Sequence, residues 1–263
     1  MIRWSFPSRL LTALAVLCLA LPAAAVESRQ ASFAGVGLRV VEVDLAHERL
    51  ELVWRQAGDA AFGSIEALRQ QAAADGRELL FATNAGIYDH AFRPLGLHVE
   101  DGQVLRPLNT ARGAPGAGNF SIQPNGVFYV DQDGHAGVVT TDAWREAGIA
   151  ARLATQSGPM LVVDGAVNPA FDAASQSLKW RSGVCAPAPG RVVFAVSEAP
   201  LSFHAFARFF RDRLGCADAL YLDGTLSRIW TRQDGYAGAP AFMVKPYAGI
   251  FAVFATPQAQ PGE

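Results

Sequence analysis

The sequence has little that would hold a metal ion or a nucleotide. Its 263 residues include three cysteines and five histidines, with no C-x-x-C pair and no histidine cluster. It contains no P-loop, no G-x-S-x-G elbow, and no G-x-G-x-x-G that follows a strand and opens a helix. The acidic turns 131–134 and 101–102 lack the remaining oxygen ligands of an EF-hand loop. We therefore expect no cofactor and no metal site.

Basic charge and long apolar runs are scarce beyond residue 25. That part of the chain has 20 basic and 24 acidic residues, a net charge of −4. A nucleic acid or an anionic membrane would need a basic face, so we expect neither as a partner. No apolar run in this part approaches the roughly 20 residues that span a bilayer, so we expect no stable membrane span.

The first 25 residues have the pattern of a secretory signal. Arg3 and Arg9 precede an apolar run over residues 10–21, and the small residues 23–25 resemble a cleavage site. We predict a signal peptide over residues 1–25, one domain over residues 26–263, and a periplasmic or secreted location. An uncut signal anchor is the alternative. A lipoprotein is disfavoured, because Cys18 lies inside the apolar run and lacks the small neighbouring residue expected beside a lipidated cysteine.

Strand patterns outnumber helical ones in the rest of the chain. Hairpin turns are predicted at residues 46–49, 101–102 and 124–126. Ser64 is placed to cap a helix to about Ala74, and Ser202 to cap an amphipathic helix to Leu214. This pattern predicts an α+β fold, a single domain with a large mixed or antiparallel β-sheet flanked by helices.

Two cysteines, Cys185 and Cys216, remain after removal of the signal segment. In an oxidising compartment they can form a disulfide. Two buried free thiols are the alternative, because cysteine is among the residues most often buried. The sequence leaves both possibilities open.

Polar residues cluster where four predicted strands end. The clusters are Asn84 with Tyr88, Gln156-Ser157-Gly158, Arg181 with Gly183, and Asp223-Gly224. An unpaired buried polar group costs about 1–3 kcal/mol, so these groups need partners and can find them around a shared ligand. Ordinary turn formation explains each cluster taken singly. The residues by themselves thus indicate a polar cleft and nothing finer.

Taken in order, the clusters resemble a known family. The motifs are T-N-A-G-I-Y at 83–88, P-L-G-L at 94–97, G-N-F at 118–120, P-N-G-V-F at 124–128, Q-S-G-P-M-L at 156–161, R-S-G-V at 181–184 and A-L-Y-L-D-G at 219–224. This ordered set resembles the phosphodiester glycosidase family, which includes the animal uncovering enzyme with its N-acetylglucosamine-1-phosphodiester α-N-acetylglucosaminidase domain. The match is closer to the exported bacterial branch and covers about residues 33–254.

The resemblance implies an α/β domain that hydrolyses a glycosyl phosphodiester. It implies a site built from Asn84, Gln156, Ser157, Gly158, Arg181, Gly183, Asp223 and Gly224. Arg181 is then the phosphate clamp and Asp223 the reacting carboxylate, and the other residues bind substrate. The animal enzyme resembles D-G-G-G-S at the last motif, where this chain has D-G-T-L-S at residues 223–227.

Two other functions remain open on the sequence. A non-catalytic module binding a cell-envelope glycan would use the same cleft, and the altered turn after Asp223 keeps this alternative open. A metal-dependent phosphodiesterase would need histidine and aspartate clusters that the sequence does not show. The expected partner is accordingly a sugar-phosphate diester or a cell-envelope glycan.

Overall fold

The computed structural model describes residues 26–56, 58–113, 118–224, 227–243 and 246–256. The predicted signal segment 1–25 lies outside the described residues, as do Thr225 and Leu226 of the altered turn. The strands within the described ranges are β1 (Val26–Phe33), β2 (Val36–Asp44), β3 (Leu50–Val53), β4 (Leu79–Asn84), β5 (His98–Glu100), β6 (Gln103–Arg106), β7 (Gly126–Asp131), β8 (Ala136–Thr140), β9 (Ala151–Ser157), β10 (Met160–Val163), β11 (Ala166–Val167), β12 (Ser182–Ala188), β13 (Arg191–Ser197), β14 (Ala219–Tyr221), β15 (Arg228–Thr231), β16 (Gly235–Gly238) and β17 (Ile250–Phe254). The α-helices are α1 (Ile65–Ala74), α2 (Thr141–Ala147) and α3 (Phe203–Asp212), and short 3-10 turns occupy Asn119–Ser121 and Ala241–Met243.

The strands form three sheets. A seven-stranded sheet has the order β1-β2-β13-β12-β14-β10-β11, and two five-stranded sheets have the orders β16-β15-β4-β17-β3 and β6-β5-β9-β7-β8. The pairings between these described strands are antiparallel. The fold is therefore dominated by β-structure with a few helices outside, as expected, but the single large sheet that we predicted is replaced by three.

The three sheets enclose one common core. Phe194 comes from the seven-stranded sheet, Phe81 and Phe251 from the second sheet, and Phe128 from the third. Their ring centroids lie 5.1 to 6.2 Å apart, and all four rings are buried. Aromatic pairs at these separations add to the free energy gained from apolar burial. This shared core fixes the sheets against one another and brings their strand ends to one place.

Helices cover the outer faces of the sheets. α3 buries Phe206, Phe209 and Phe210 against the seven-stranded sheet, and α1 packs on the second sheet. The side chains of Ser64 and Ser202 accept hydrogen bonds from backbone N–H groups at 3.1 Å, so both predicted N-caps are confirmed. None of the helices in the described ranges has the length and apolar character needed to cross a bilayer.

Two of the predicted hairpins are wrong. β5 and β6 do pair across residues 101–102, but β2 and β3 lie in different sheets. β2 pairs instead with β1 across a turn at Ala34 and Gly35, both with positive φ. Residues 119–121 form a 3-10 turn, so the turn at 124–126 leads into β7, which pairs with β8 and β9. Turn residues mark a change of direction without specifying the partner strand.

A disulfide joins Cys185 in β12 to Cys216 in the segment after α3. The two Cα atoms lie 6.2 Å apart and both residues are buried in the core beneath α3. The bond therefore links the C-terminal end of α3 to the middle of the seven-stranded sheet. The cross-linked residues are separated by 31 positions.

Replacing both cysteines with serine is expected to lower the free energy of unfolding by about 3–4 kcal/mol, because the link restricts the unfolded chain. Urea unfolding of the double variant and the oxidised parent measures the difference. Mass spectrometry of non-reduced peptides should show residues 185 and 216 in one linked species. Recovery of both thiols fully alkylated from the oxidised protein would contradict the pairing.

Candidate functional site

The predicted polar clusters meet where the three sheets come together. Asn84 ends β4 of the second sheet, Ser157 ends β9 of the third, and Ser182 begins β12 of the first. The Asn84 Nδ2 donates to Ser182 Oγ at 2.9 Å, and Ser182 Oγ donates to the Asp223 carbonyl at 3.0 Å. Ser157 Oγ donates to the carbonyl of Leu222 at 2.9 Å. Side chains from three sheets thus fix the segment that carries Asp223.

Asp223 is the carboxylate of this junction. Its backbone is held by Ser182 and by Ser227, whose Oγ donates to the Asp223 carbonyl at 2.6 Å. Its Oδ1 accepts the N–H of Gly224, and no described cation pairs with it. Dense packing around the carboxyl raises its pKa to about 6, and the Gly224 N–H offsets only part of this rise. A carboxyl that is fixed, uncompensated and still partly accessible suits acid–base or nucleophilic chemistry.

Two tyrosines flank the Asp223 carboxylate. Burial raises the pKa of Tyr88 and of Tyr221, and the negative charge of Asp223 raises both further. Tyr88 Oη donates to the Pro246 carbonyl at 2.7 Å. The Tyr221 hydroxyl is fully buried and has no hydrogen-bond partner among the described residues. It lies where a side chain on residue 224 would begin, so only glycine fits at Gly224.

Arg181 is a buried cation near Tyr221. The residue is 1% exposed, its Nε donates to the Leu201 carbonyl at 2.8 Å, and its Nη2 donates to the Ser177 carbonyl at 3.1 Å. The guanidinium lies 3.6 Å over the Phe203 ring and 5.8 Å from the Tyr221 ring centroid. Burial lowers its pKa, although arginine remains charged. Direct phosphate binding by Arg181 stays a prediction, and the observed contacts are those of a side chain that supports Tyr221.

Gln156 uses its whole side-chain amide inside the protein. Its Oε1 accepts from the N–H groups of Leu97 and Asn109 at 3.0 and 2.8 Å. Its Nε2 donates to the Asn109 carbonyl at 2.7 Å and to Thr141 Oγ1 at 3.0 Å. A primary amide has two donors and two acceptor positions, so none remains for a ligand. Substrate binding by Gln156 stays a prediction, and its contacts hold β5, the loop after β6 and α2 together.

The predicted site glycines allow close packing. A side chain on Gly158 would collide with Asn125 Oδ1. A Cβ on Gly183 would lie 3.0 Å from atoms of both Leu161 and Phe210, so this glycine lets α3 approach β12. Binding of substrate by either glycine stays a prediction. Their positions let β9 and β12 reach the junction at Asp223.

The sequence reasoning did not single out Ser182, which connects Asn84 to Asp223. A signal was available, since Ser182 lies between two predicted site residues in the R-S-G-V motif. The T-N-A-G-I-Y motif gives Tyr88 no role, and Arg228 lies outside the family motifs. Arg228 directly follows the altered turn, and its backbone N–H donates to Asn84 Oδ1 at 3.3 Å.

One group of potential metal ligands occurs among the described residues, formed by Asp131, Asp133 and His135. It lies in the turn between β7 and β8. β7 pairs with Ser157 at its other end, through Gly126. This group is therefore remote from Asp223 and has no part in the junction.

Comparisons with other proteins agree with this architecture. The zebrafish N-acetylglucosamine-1-phosphodiester α-N-acetylglucosaminidase catalytic domain, solved in a form auto-inhibited by its pro-peptide, superposes with a TM-score of 0.61. The sequences are 16% identical, and the match covers 89% of this chain and 85% of that one. A hypothetical protein from Synechocystis superposes with a TM-score of 0.53 at 15% identity, covering 88% of this chain and 62% of that one. At these identities the likeness establishes the fold.

Sequence relationships establish the family. The Escherichia coli (strain K12) protein YigE, described as uncharacterised, is 36% identical over 206 residues, which is 78% of this chain and 77% of YigE. The family model for phosphodiester glycosidases matches residues 77–241, which contain every predicted site residue. The chain belongs to the phosphodiester glycosidase family.

Proposed function

We propose that this protein hydrolyses a glycosyl phosphodiester, with Asp223 as the reacting carboxylate. Family membership supports hydrolase activity of this general kind. The observation that carries the proposal is Asp223 itself, a fixed and uncompensated carboxyl at the meeting point of three sheets, with a pKa of about 6.

The reaction asks for little beyond such a carboxylate. Breaking the bond between the sugar C1 and the phosphate oxygen builds positive charge at C1 and negative charge on the departing phosphate. An ionised Asp223 can stabilise the charge at C1, attack C1, or activate a water molecule. A phosphate leaves as a weak base, so the second carboxylic acid of ordinary glycosidases is not required. This agrees with the single acidic residue among the family motifs.

We further propose that the protein acts outside the cytoplasm. The signal-like pattern of residues 1–25 supports this location. The pairing of Cys185 with Cys216 supports it as well, since disulfides persist mainly in oxidising compartments. Fractionation of cells that express the full chain, with immunodetection in each fraction, is the direct test. Retention in the cytoplasm at full length would contradict the proposal.

The test of the activity is a panel of sugar-1-phosphodiesters, including nucleotide-sugars, incubated with the chain beginning at Val26. Release of free sugar, measured by chromatography, is the expected result. A panel without turnover, in which one compound nevertheless raises the melting temperature, would instead favour a glycan-binding module.

The pH dependence of kcat/KM should follow the ionisation of Asp223. If the carboxylate is the reactive form, activity rises as pH increases through about 6 and then levels off. At one pH unit below that pKa, about a tenth of the carboxyl is ionised, so we expect about a tenfold loss near pH 5. A profile that falls through this range would show that the protonated form is the active one.

A further inference from the structure

Arg228 is a cation beside the catalytic junction with no assigned role. It begins β15, and its backbone N–H donates to Asn84 Oδ1. The preceding residue, Ser227, donates its Oγ to the carbonyls of Asp223 at 2.6 Å and Gly224 at 2.8 Å. Arg228 is thus tied through its neighbours to both Asn84 and Asp223.

The Arg228 guanidinium is held in place but is not neutralised. It lies 4.0 Å over the ring of Tyr236, in the arrangement of a cation–π contact. Its Nε is buried and finds no acceptor among the described residues. Among the described residues no carboxylate pairs with it, whereas Arg39, Arg77 and Arg232 are all paired. An arginine charge without a carboxylate partner is costly where it is partly buried, and an anionic ligand at the exposed part of the side chain would neutralise it.

Arg228 and Asp223 face the same group of tyrosines. Burial raises the pKa of both Tyr247 and Tyr88. The positive charge of Arg228 opposes this rise at Tyr247, whereas the negative charge of Asp223 adds to it at Tyr88. Tyr88 and Tyr247 also influence each other. Tyr88 Oη is anchored on the carbonyl of Pro246, next to Tyr247 in the chain. Arg228 and Asp223 therefore lie near neighbouring tyrosines, Arg228 near Tyr247 and Asp223 near Tyr88.

We propose that Arg228 binds the non-bridging oxygens of the substrate's phosphodiester, while Arg181 supports Tyr221 from behind. The inference rests on the proposed function, since it assigns the phosphate-binding residue of that site. Arg181 donates to two backbone carbonyls and is almost completely buried, whereas Arg228 is partly exposed and has no carboxylate partner among the described residues. A guanidinium fixed by stacking can bind two phosphate oxygens with little further ordering.

The test compares Arg228→Gln with Arg232→Gln, a matched control on the turn after β15 whose exposed ion pair with Glu78 spans 2.9 Å. We expect Arg228→Gln to raise KM for a hydrolysed phosphodiester at least tenfold, about 1.4 kcal/mol. Arg232→Gln should leave KM unchanged. Arg228→Lys, which keeps the charge without the planar fork, should fall between the parent and Arg228→Gln. Circular dichroism establishes that each variant is folded.

A second readout does not depend on turnover. Inorganic phosphate should raise the melting temperature of the parent and of Arg232→Gln. It should have no effect on the melting temperature of Arg228→Gln and a smaller effect on that of Arg228→Lys. If no panel compound is hydrolysed but this pattern holds, the proposed hydrolase activity is contradicted and phosphate binding by Arg228 is supported. The opposite result is hydrolysis of phosphodiesters with the same KM, and the same phosphate-induced change in melting temperature, for folded Arg228→Gln and Arg232→Gln. It would support the hydrolase activity and show that Arg228 does not bind the phosphate.

Discussion

Asp223→Asn is expected to abolish hydrolysis while leaving the protein folded, with kcat reduced by about 10³-fold or more. Asparagine retains the shape of the side chain and an oxygen for the Gly224 N–H, but it cannot ionise. The backbone bonds to Ser182 and Ser227 do not involve the replaced group. KM should change little, because the missing interaction develops in the transition state.

The same replacement should stabilise the protein at neutral pH. The folded-state pKa of Asp223 is about 6, above the value near 3.9 of an unfolded aspartate. Between these values the folded state binds more protons than the unfolded one, so stability falls as pH rises from about 4 through 6. The asparagine variant has no proton to lose at this position and would not undergo this destabilisation. The difference in melting temperature between Asp223→Asn and the parent should therefore grow across that range and favour the variant above pH 6.

Asp133→Asn, on an exposed turn, is the control for removing one negative charge. It should retain activity and show no growing stability difference between pH 4 and 7. Full turnover by Asp223→Asn would exclude Asp223 as the reacting group. A melting-temperature difference that is constant with pH would show that the carboxyl is not desolvated in the folded protein.

Local features of the fold could be predicted because their signals lie within a few residues. The caps at Ser64 and Ser202 are such cases, since a hydroxyl three residues before a backbone N–H, followed by an apolar helical pattern, marks the start of a helix. The β5–β6 hairpin is another, because Asp101 and Gly102 adopt the positive φ that a two-residue turn needs.

The pairing of distant strands could not be predicted in the same way. Whether β2 pairs with β3 depends on competition with β13 and β17, which lie about 150 to 200 positions further along. The three sheets share a core that includes four phenylalanines, and no single window of sequence contains them. Asn84, Ser157 and the segment carrying Asp223 do meet, because polar groups at the ends of core strands need hydrogen-bond partners.

Individual roles in the site were harder to predict. Arginine in a motif indicates a phosphate contact, but the sequence does not tell whether its guanidinium points into the cleft or behind it. In the structure the Arg181 guanidinium donates to the carbonyls of Ser177 and Leu201. Gln156 poses the same problem, since an amide that satisfies three backbone groups is indistinguishable in sequence from one that binds a sugar.

Gln156→Glu separates these two roles with almost no change in shape. The variant loses both Nε2 donors and places a carboxylate against the Asn109 carbonyl in a site that is 1% exposed. Leaving such groups unsatisfied should lower the free energy of unfolding by about 3 kcal/mol at neutral pH. The loss should shrink in acid, where the introduced carboxyl is protonated and regains one donor. The control is Gln30→Glu on exposed β1, which should leave stability unchanged.

The pattern of stability and kinetics then identifies the role of Gln156. If its amide only joins β5, the loop at Asn109 and α2, the folded fraction of Gln156→Glu should hydrolyse substrate with the parent's KM at low temperature. If Gln156 contacts the sugar, the melting temperature should stay near that of the parent while KM rises. The four internal hydrogen bonds favour the first outcome, because substrate contact would require breaking at least one of them. An unchanged melting temperature would contradict the observed network directly.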